Sequence, residues 1–196
     1  MHEGRLLVDD AGASTASSFL TDVHSGATFG GDGTAGPVRV RNGGTIAPGS
    51  LLQSSALFRT GALTLDEGAT LSLEIGGITA GAGYDQLLVT GTVSLGGANL
   101  SATLVNGFVP QANALFFVLA NDNSDPITGT FAQGSSLTVN DIPFEISYTA
   151  SANAGTFTGG NDVAIRAVPE PGALLMALSA IPLLLHRTRK HGASRA

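Results

Sequence analysis

Apolar residues along this chain fall at alternate positions in short runs: Val38 and Val40, then Leu63 and Leu65, then Leu71, Leu73 and Ile75. A side-chain period of two puts alternate residues on opposite faces of a strand, so these runs predict half-buried β-strands. Between them stand Gly43-Gly44, Gly76-Gly77, Gly91, Gly96-Gly97 and Gly159-Gly160, which predict tight reversals because glycine takes positive φ without strain. Leu87-Leu88-Val89, Val93 with Leu95, and the stretches 115–119, 144–148 and 163–165 read as further strands. Residues 121–126 combine Asn, Asp, Ser and Pro and read as a loop.

A tetrad of glycine, small, polar and apolar residues recurs as Gly26-Ala27-Thr28-Phe29, Gly43-Gly44-Thr45-Ile46, Gly68-Ala69-Thr70-Leu71 and Gly97-Ala98-Asn99-Leu100. The intervals are 17, 25 and 29 residues, and a shift of 25 also lays Val38 on Leu63 and Val40 on Leu65. One β unit per roughly 20–30 residues is the spacing of a solenoid, in which each coil buries its apolar face on the next. An ordinary Gly-rich β-sandwich with coincidental spacing is the alternative. The expected fold is all-β: a Gly-rich, right-handed parallel β-helix or solenoid-like body with a β cap, followed by a single C-terminal transmembrane helix. Its expected divisions are a poorly defined N-terminal segment (1–25), solenoid repeats (26–100), a β cap region (101–167) and a C-terminal sorting segment (168–196).

Composition narrows the chemistry. The 196 residues include 27 Gly and 8 Pro but no Cys, which excludes disulfides, Cys-ligated metals and thiol catalysis. Residues 1–185 hold all 15 acids and 5 of the 9 bases, whereas 186–196 hold 4 bases and no acid. So acidic a body lacks the Lys and Arg that displace phosphate counterions, and no nucleic-acid partner is expected.

Residues 172–185, GALLMALSAIPLLL, carry no charge and are followed by His186-Arg187-Thr188-Arg189-Lys190. An apolar run with a basic stop suggests a membrane segment oriented with its bases toward the cytoplasm and the acidic body outside. As a helix the run would rise about 21 Å, against about 30 Å of hydrocarbon, and Pro182 interrupts it. The first ten residues hold only a three-residue apolar run with acids on both sides and do not read as a signal peptide. The chain is therefore read as the tail of a longer exported protein, or as one whose start lies upstream.

Val168, Pro169, Glu170, Pro171 and Gly172, then the apolar run, then the Arg/Lys cluster, resemble the PEP-CTERM sorting signal of Gram-negative bacteria. The resemblance implies processing by exosortase, a membrane protease-transpeptidase. It makes Val168, Pro169, Glu170 and Pro171 the recognition motif and Arg187, Arg189 and Lys190 the basic stop. The flanking prolines would hold Glu170 in extended backbone. The body has a second resemblance: VRVRNGGTIAPG (38–49), ALTLDEGATLSLEIGG (62–77), YDQLLVTGTVSLGG (84–97) and GGNDVAI (159–165) are similar to autotransporter-associated β-strand repeats of passenger-type surface proteins. Right-handed parallel β-helices and a surface location are what that likeness implies.

Catalytic signatures are sparse. Gly31-Asp32-Gly33-Thr34-Ala35-Gly36 satisfies GxGxxG, but a strand-like Pro37-Val38-Arg39-Val40 follows where a dinucleotide site needs a helix. Gly159-Gly160-Asn161-Asp162 is similar to calcium-binding β-roll repeats but occurs once, which favours a turn. His2 and His24 are the body's only histidines, leaving few members for a triad or a His-ligated metal. Asp9-Asp10 and Asp66-Glu67 are sequence neighbours that tend to point apart, and Glu74 should face solvent between Leu73 and Ile75. Asn99-Leu100-Ser101 fits the N-glycosylation pattern and carries no functional weight within a strand. No catalytic residue, metal or cofactor is expected.

These readings converge on a non-enzymatic exported protein. It would pass through an inner-membrane intermediate, reach the cell surface or extracellular matrix of a Gram-negative bacterium, and serve a structural or adhesive role. Its expected partners are an exosortase-type membrane protease, the inner membrane in passing, and exopolysaccharide. The alternative is a carbohydrate-binding or carbohydrate-cleaving β-helix protein.

Overall fold

A computed structural model describes residues 2–9, 14–15, 19–49, 55–122 and 125–168. The described residues form eighteen strands and no helix. They are β1 (Gly4–Val8), β2 (Ser14–Thr15), β3 (Thr21–Val23), β4 (Ala27–Gly31), β5 (Thr34–Ala35), β6 (Val38–Val40), β7 (Thr45–Pro48), β8 (Leu57–Thr60) and β9 (Leu63–Leu65). The remainder are β10 (Thr70–Ile75), β11 (Gln86–Val89), β12 (Val93–Ser94), β13 (Asn99–Leu104), β14 (Leu115–Asn121), β15 (Ile127–Thr128), β16 (Ser136–Val139), β17 (Ile142–Ala150) and β18 (Asp162–Ala167).

The strands fall into three sheets that the chain visits in rotation. One sheet runs β1-β4-β7-β10-β13, a second β3-β6-β9-β12-β15, and the third begins β2-β5-β8-β11-β14. Each strand of these series pairs in parallel with the strand three elements later, so the chain makes five coils, one stacked on the next. The third sheet then continues through β18, β17 and β16, all antiparallel, and these strands form a cap.

One part of the expected fold needs correction. The described residues form two parallel sheets and one mixed, eight-stranded sheet. The C-terminal transmembrane helix, and with it the membrane assignment, is not supported, because no helix among the described residues is long and apolar enough to cross a membrane. Residues 172–185 lie outside the described residues; their sequence, interrupted by Pro182, would reach only about 21 Å as a helix.

Register explains the tetrad. Thr28 pairs with Thr45, Thr45 with Thr70, and Thr70 with Asn99, so the 17-, 25- and 29-residue intervals of the sequence are coil lengths. Phe29, Ile46, Leu71 and Leu100 make the adjoining column, directed inward and buried. Val38, Leu63 and Val93 form an equivalent buried column from the second sheet, and Phe58, Leu87 and Leu119 one from the third. Cross-strand stacking of like side chains at the roughly 4.8 Å strand spacing is the unit of stabilisation here.

Ahead of every tetrad the chain makes the same turn, with a C=O accepting the N–H three residues on: His24 to Ala27, Arg41 to Gly44, Asp66 to Ala69 and Leu95 to Ala98. Its third position is Gly26, Gly43, Gly68 and Gly97, with φ of 78°, 74°, 76° and 80°. Glycine is required there twice over at Gly68, since a Cβ would also stand 2.2 Å from the Asn42 amide nitrogen of the coil below. The first 25 residues, which have no clear pattern of their own, supply β1, β2 and β3 and pair in register with the coil that follows.

Candidate functional site

Of the residues singled out by sequence, Val168 is the last described; its N–H donates to the Pro143 carbonyl at 2.9 Å. Pro169, Glu170, Pro171, Arg187, Arg189 and Lys190 lie outside the described residues. The GxGxxG segment leads through β5 into β6, a strand, and the Asp32 and Gly33 N–H groups both donate to the Val8 carbonyl. Among the described residues no group of three or more His, Asp or Glu is placed to hold a metal.

The corner between the second and first sheets carries a charge ladder. Arg41 makes two hydrogen bonds of 2.8 Å to the Asp22 carboxylate, and Arg39 reaches Asp66 at 3.1 Å. Arg41 also lies 3.8 Å from Asp66, linking the two pairs across three coils. The Arg41 hydrogen bond holds the Asp22 carboxyl below its ordinary range, against a smaller opposing effect of burial. His24 sits 3.6 Å from Asp22 and 4.2 Å, ring to ring, from His2. This half-exposed cluster locks the first three coils together through side chains.

Two buried aspartates fasten segments far apart in sequence. Asp85 accepts the Ala56 N–H on one oxygen and the Glu74 N–H on the other, each at 2.8 Å. Burial pushes its carboxyl up to about 7, outweighing the two amides that favour the anion. Its neighbours in sequence serve the same junction: the Tyr84 hydroxyl accepts the Phe117 N–H at 3.3 Å, and the Gln86 amide donates to the Phe117 carbonyl at 2.7 Å. Phe117 begins an irregularity in the register of β14, so Tyr84 and Gln86 satisfy main-chain groups of a strand that the ladder misses there. Asp162 repeats the device in the cap, accepting Asn121 N–H at 2.8 Å and Ala152 N–H at 2.7 Å. Sequence reasoning read Gly159-Gly160-Asn161-Asp162 as a turn and missed this fastening role.

A polar recess lies where the outer face of the first sheet meets the cap. It encloses about 440 Å³ and is lined by Thr70, Asn99, Leu100, Ser101, Ala102, Gln133, Leu137 and Thr138, none of them charged. Gln133 folds along the edge of β13, accepting the Leu100 N–H at 3.1 Å and donating to the Leu100 carbonyl at 3.2 Å. The Asn140 side chain accepts the Leu104 N–H at 3.4 Å. Asn99 and Val105 donate toward β10, to Ala69 and Ile75, so the alternate residues 100, 102 and 104 turn their main-chain groups to the open edge. Ala102 lies midway between the two amide plugs. Asn99, set aside by sequence, thus becomes a groove residue, and the signal that could have found it was its place in the tetrad column of Thr28, Thr45 and Thr70. Nothing in sequence marks Gln133.

A second recess of about 540 Å³ is apolar, with Phe108, Ala114 and Leu115 in its lining and Ile78 and Val109 exposed at its rim. No known family and no curated protein sequence matches this chain.

Proposed function

We propose that this chain is the body of an exported cell-surface or extracellular-matrix protein, non-enzymatic and structural or adhesive in role, that an exosortase-type protease processes at Pro169, Glu170 and Pro171. The observation that carries the reading is where the last described strand ends. β18 ends at Ala167, Val168 makes the last described main-chain hydrogen bond, and the Pro-Glu-Pro motif starts at the next residue. Cutting there would leave every described strand, core side chain and cap residue in place. Five coils joined by parallel ladders and finished by a cap suit a load-bearing element, since each coil is hydrogen-bonded to the next in all three sheets.

The test is release from cells. The full chain, fused to a secretion signal in an exosortase-bearing Gram-negative host, should appear outside the cell with an intact mass that ends near the motif. Replacing Pro169, Glu170 and Pro171 together by Ala should abolish that truncated mass. Equal release and processing of the triple variant would overturn the assignment of the motif.

A further inference from the structure

We propose that the recess between β13 and the cap is a binding site for a neutral, polyhydroxylated ligand, a short segment of uncharged polysaccharide. The lining supplies hydroxyls from Thr70, Ser101 and Thr138 and an amide from Asn99, and none of these four side chains has a hydrogen-bond partner among the described residues. Groups of that kind donate and accept alike, as a sugar hydroxyl requires. The main chain adds one further pair, the Ala102 N–H and C=O at the edge of β13. Leu137 offers an apolar patch against which the C–H face of a sugar ring can lie.

Charge and edge chemistry narrow the ligand. No cation lines the recess and the body is acidic, so nothing there compensates a uronate or a phosphate. An added β-strand, the other ligand an open sheet edge attracts, needs a row of free main-chain groups. Here Gln133 occupies both groups of Leu100 and Asn140 occupies the Leu104 N–H, which leaves one N–H, that of Ala102, with the Ala102 and Leu104 carbonyls. A single main-chain donor beside a ring of hydroxyls matches a sugar unit better than an extended peptide, which needs alternating donors along the edge. The lining holds no carboxylate, so binding is proposed and cleavage is not. This inference does not depend on the export reading, because it concerns the purified chain.

The experiment is a titration of the isotopically labelled full chain followed by amide NMR. The probes are cellohexaose, maltohexaose, hexagalacturonate and a hexathreonine peptide. The expected result is a saturable shift of the Ala102 amide and the Asn99 side-chain NH2 with at least one neutral hexaose, and at least tenfold weaker binding of hexagalacturonate. Ala102→Pro removes an N–H that faces away from β10, a position where an edge strand tolerates proline. It should weaken binding about tenfold, as should Thr138→Arg, which crowds the exposed cap side without touching the ladder. Thr138→Arg keeps the test decisive should Ala102→Pro fail to fold. No saturable shift with either neutral hexaose, unchanged binding in the folded variants, or preferred binding of the peptide or the uronate would each overturn the proposal.

Discussion

The coils and the cap of this molecule hold their backbones by different means. In the coils every strand pairs in parallel with an equivalent strand one turn away, and one Gly-centred turn recurs at the same corner. In the cap, β16, β17 and β18 pair antiparallel; β16 and β17 are joined by Asn140-Asp141, both at positive φ, a two-residue hairpin turn that occurs once. Aromatic packing is concentrated where the two meet: Phe116 lies 5.4 Å from Tyr84 and 6.3 Å from both Phe108 and Phe144. Repetition therefore stabilises the stack by many equivalent contacts, while the cap depends on a few unlike ones. A single substitution should cost more at the junction than at a corner.

The largest effect is expected from Phe116→Ala, which empties a fully buried site shared by stack and cap. It should lower unfolding free energy by about 3–5 kcal/mol in chemical denaturation. Two separated transitions in that variant, where the parent shows one, would show that the cap can unfold without the stack. Asp162→Ala leaves the buried Asn121 amide and the half-buried Ala152 amide without their carboxylate and should cost roughly 2–4 kcal/mol, from about 1–3 kcal/mol for the buried group and about 1 for the half-buried one. Faster hydrogen exchange should appear at those two amides first.

The pH dependence sharpens the comparison on the stack side. Asp85 is pushed up to about 7 in the folded chain against 3.8 as its ordinary value, so between those limits the folded state binds a proton that the unfolded state has lost. Stability from this residue is therefore greatest at low pH, falls as pH rises toward 7 and is flat above it. The fall should be on the order of 2–4 kcal/mol from pH 4 to 8. Asp85→Asn should remove that slope, although its amide nitrogen can no longer accept the Glu74 N–H. A parent and variant with parallel pH profiles would sink the assignment.

Smaller effects belong to the repeated elements. Gly68→Ala forces a side chain into left-handed backbone and against Asn42, and should cost about 1–2 kcal/mol by thermal unfolding. Pairing it with Asn42→Ala, which clears the clash, should restore part of the loss. Asp66→Ala, which breaks the half-exposed pair with Arg39, should cost less than about 1 kcal/mol, and the difference should shrink as salt is added.

How much was legible in sequence follows the same division. The tetrads at residues 26, 43, 68 and 97 marked both the corner turns and the coil lengths, because a stacked coil repeats its local conformation wherever it turns. Glu74 was correctly placed outward by simple alternation, and its side chain is half-buried on the outer face. The first coil was not legible: β1 reads as Gly4-Arg5-Leu6-Leu7-Val8, an apolar run without alternation, and it becomes a strand because β4 offers it an edge. The expected terminal membrane helix is not supported, since no helix among the described residues is long and apolar enough to cross a membrane, and the run 172–185 lies outside them. Asp85 lay inside a quoted repeat-like segment, yet its role was invisible because its partners, Ala56 and Glu74, are 29 and 11 residues away.

The sequence by itself determined the pleat, the turns and the spacing of the coils, since side-chain alternation and glycine's access to positive φ are properties of residues and their neighbours. Only the tertiary structure decided which carboxylates leave water, which amides close an edge, and where an uncharged groove opens. Asp85 and Asp66 are the same residue in sequence terms. One is buried with its carboxyl at about 7 and the other stands beside Arg39 at the surface, because desolvation and hydrogen-bond partners are set by segments the chain brings together from a distance.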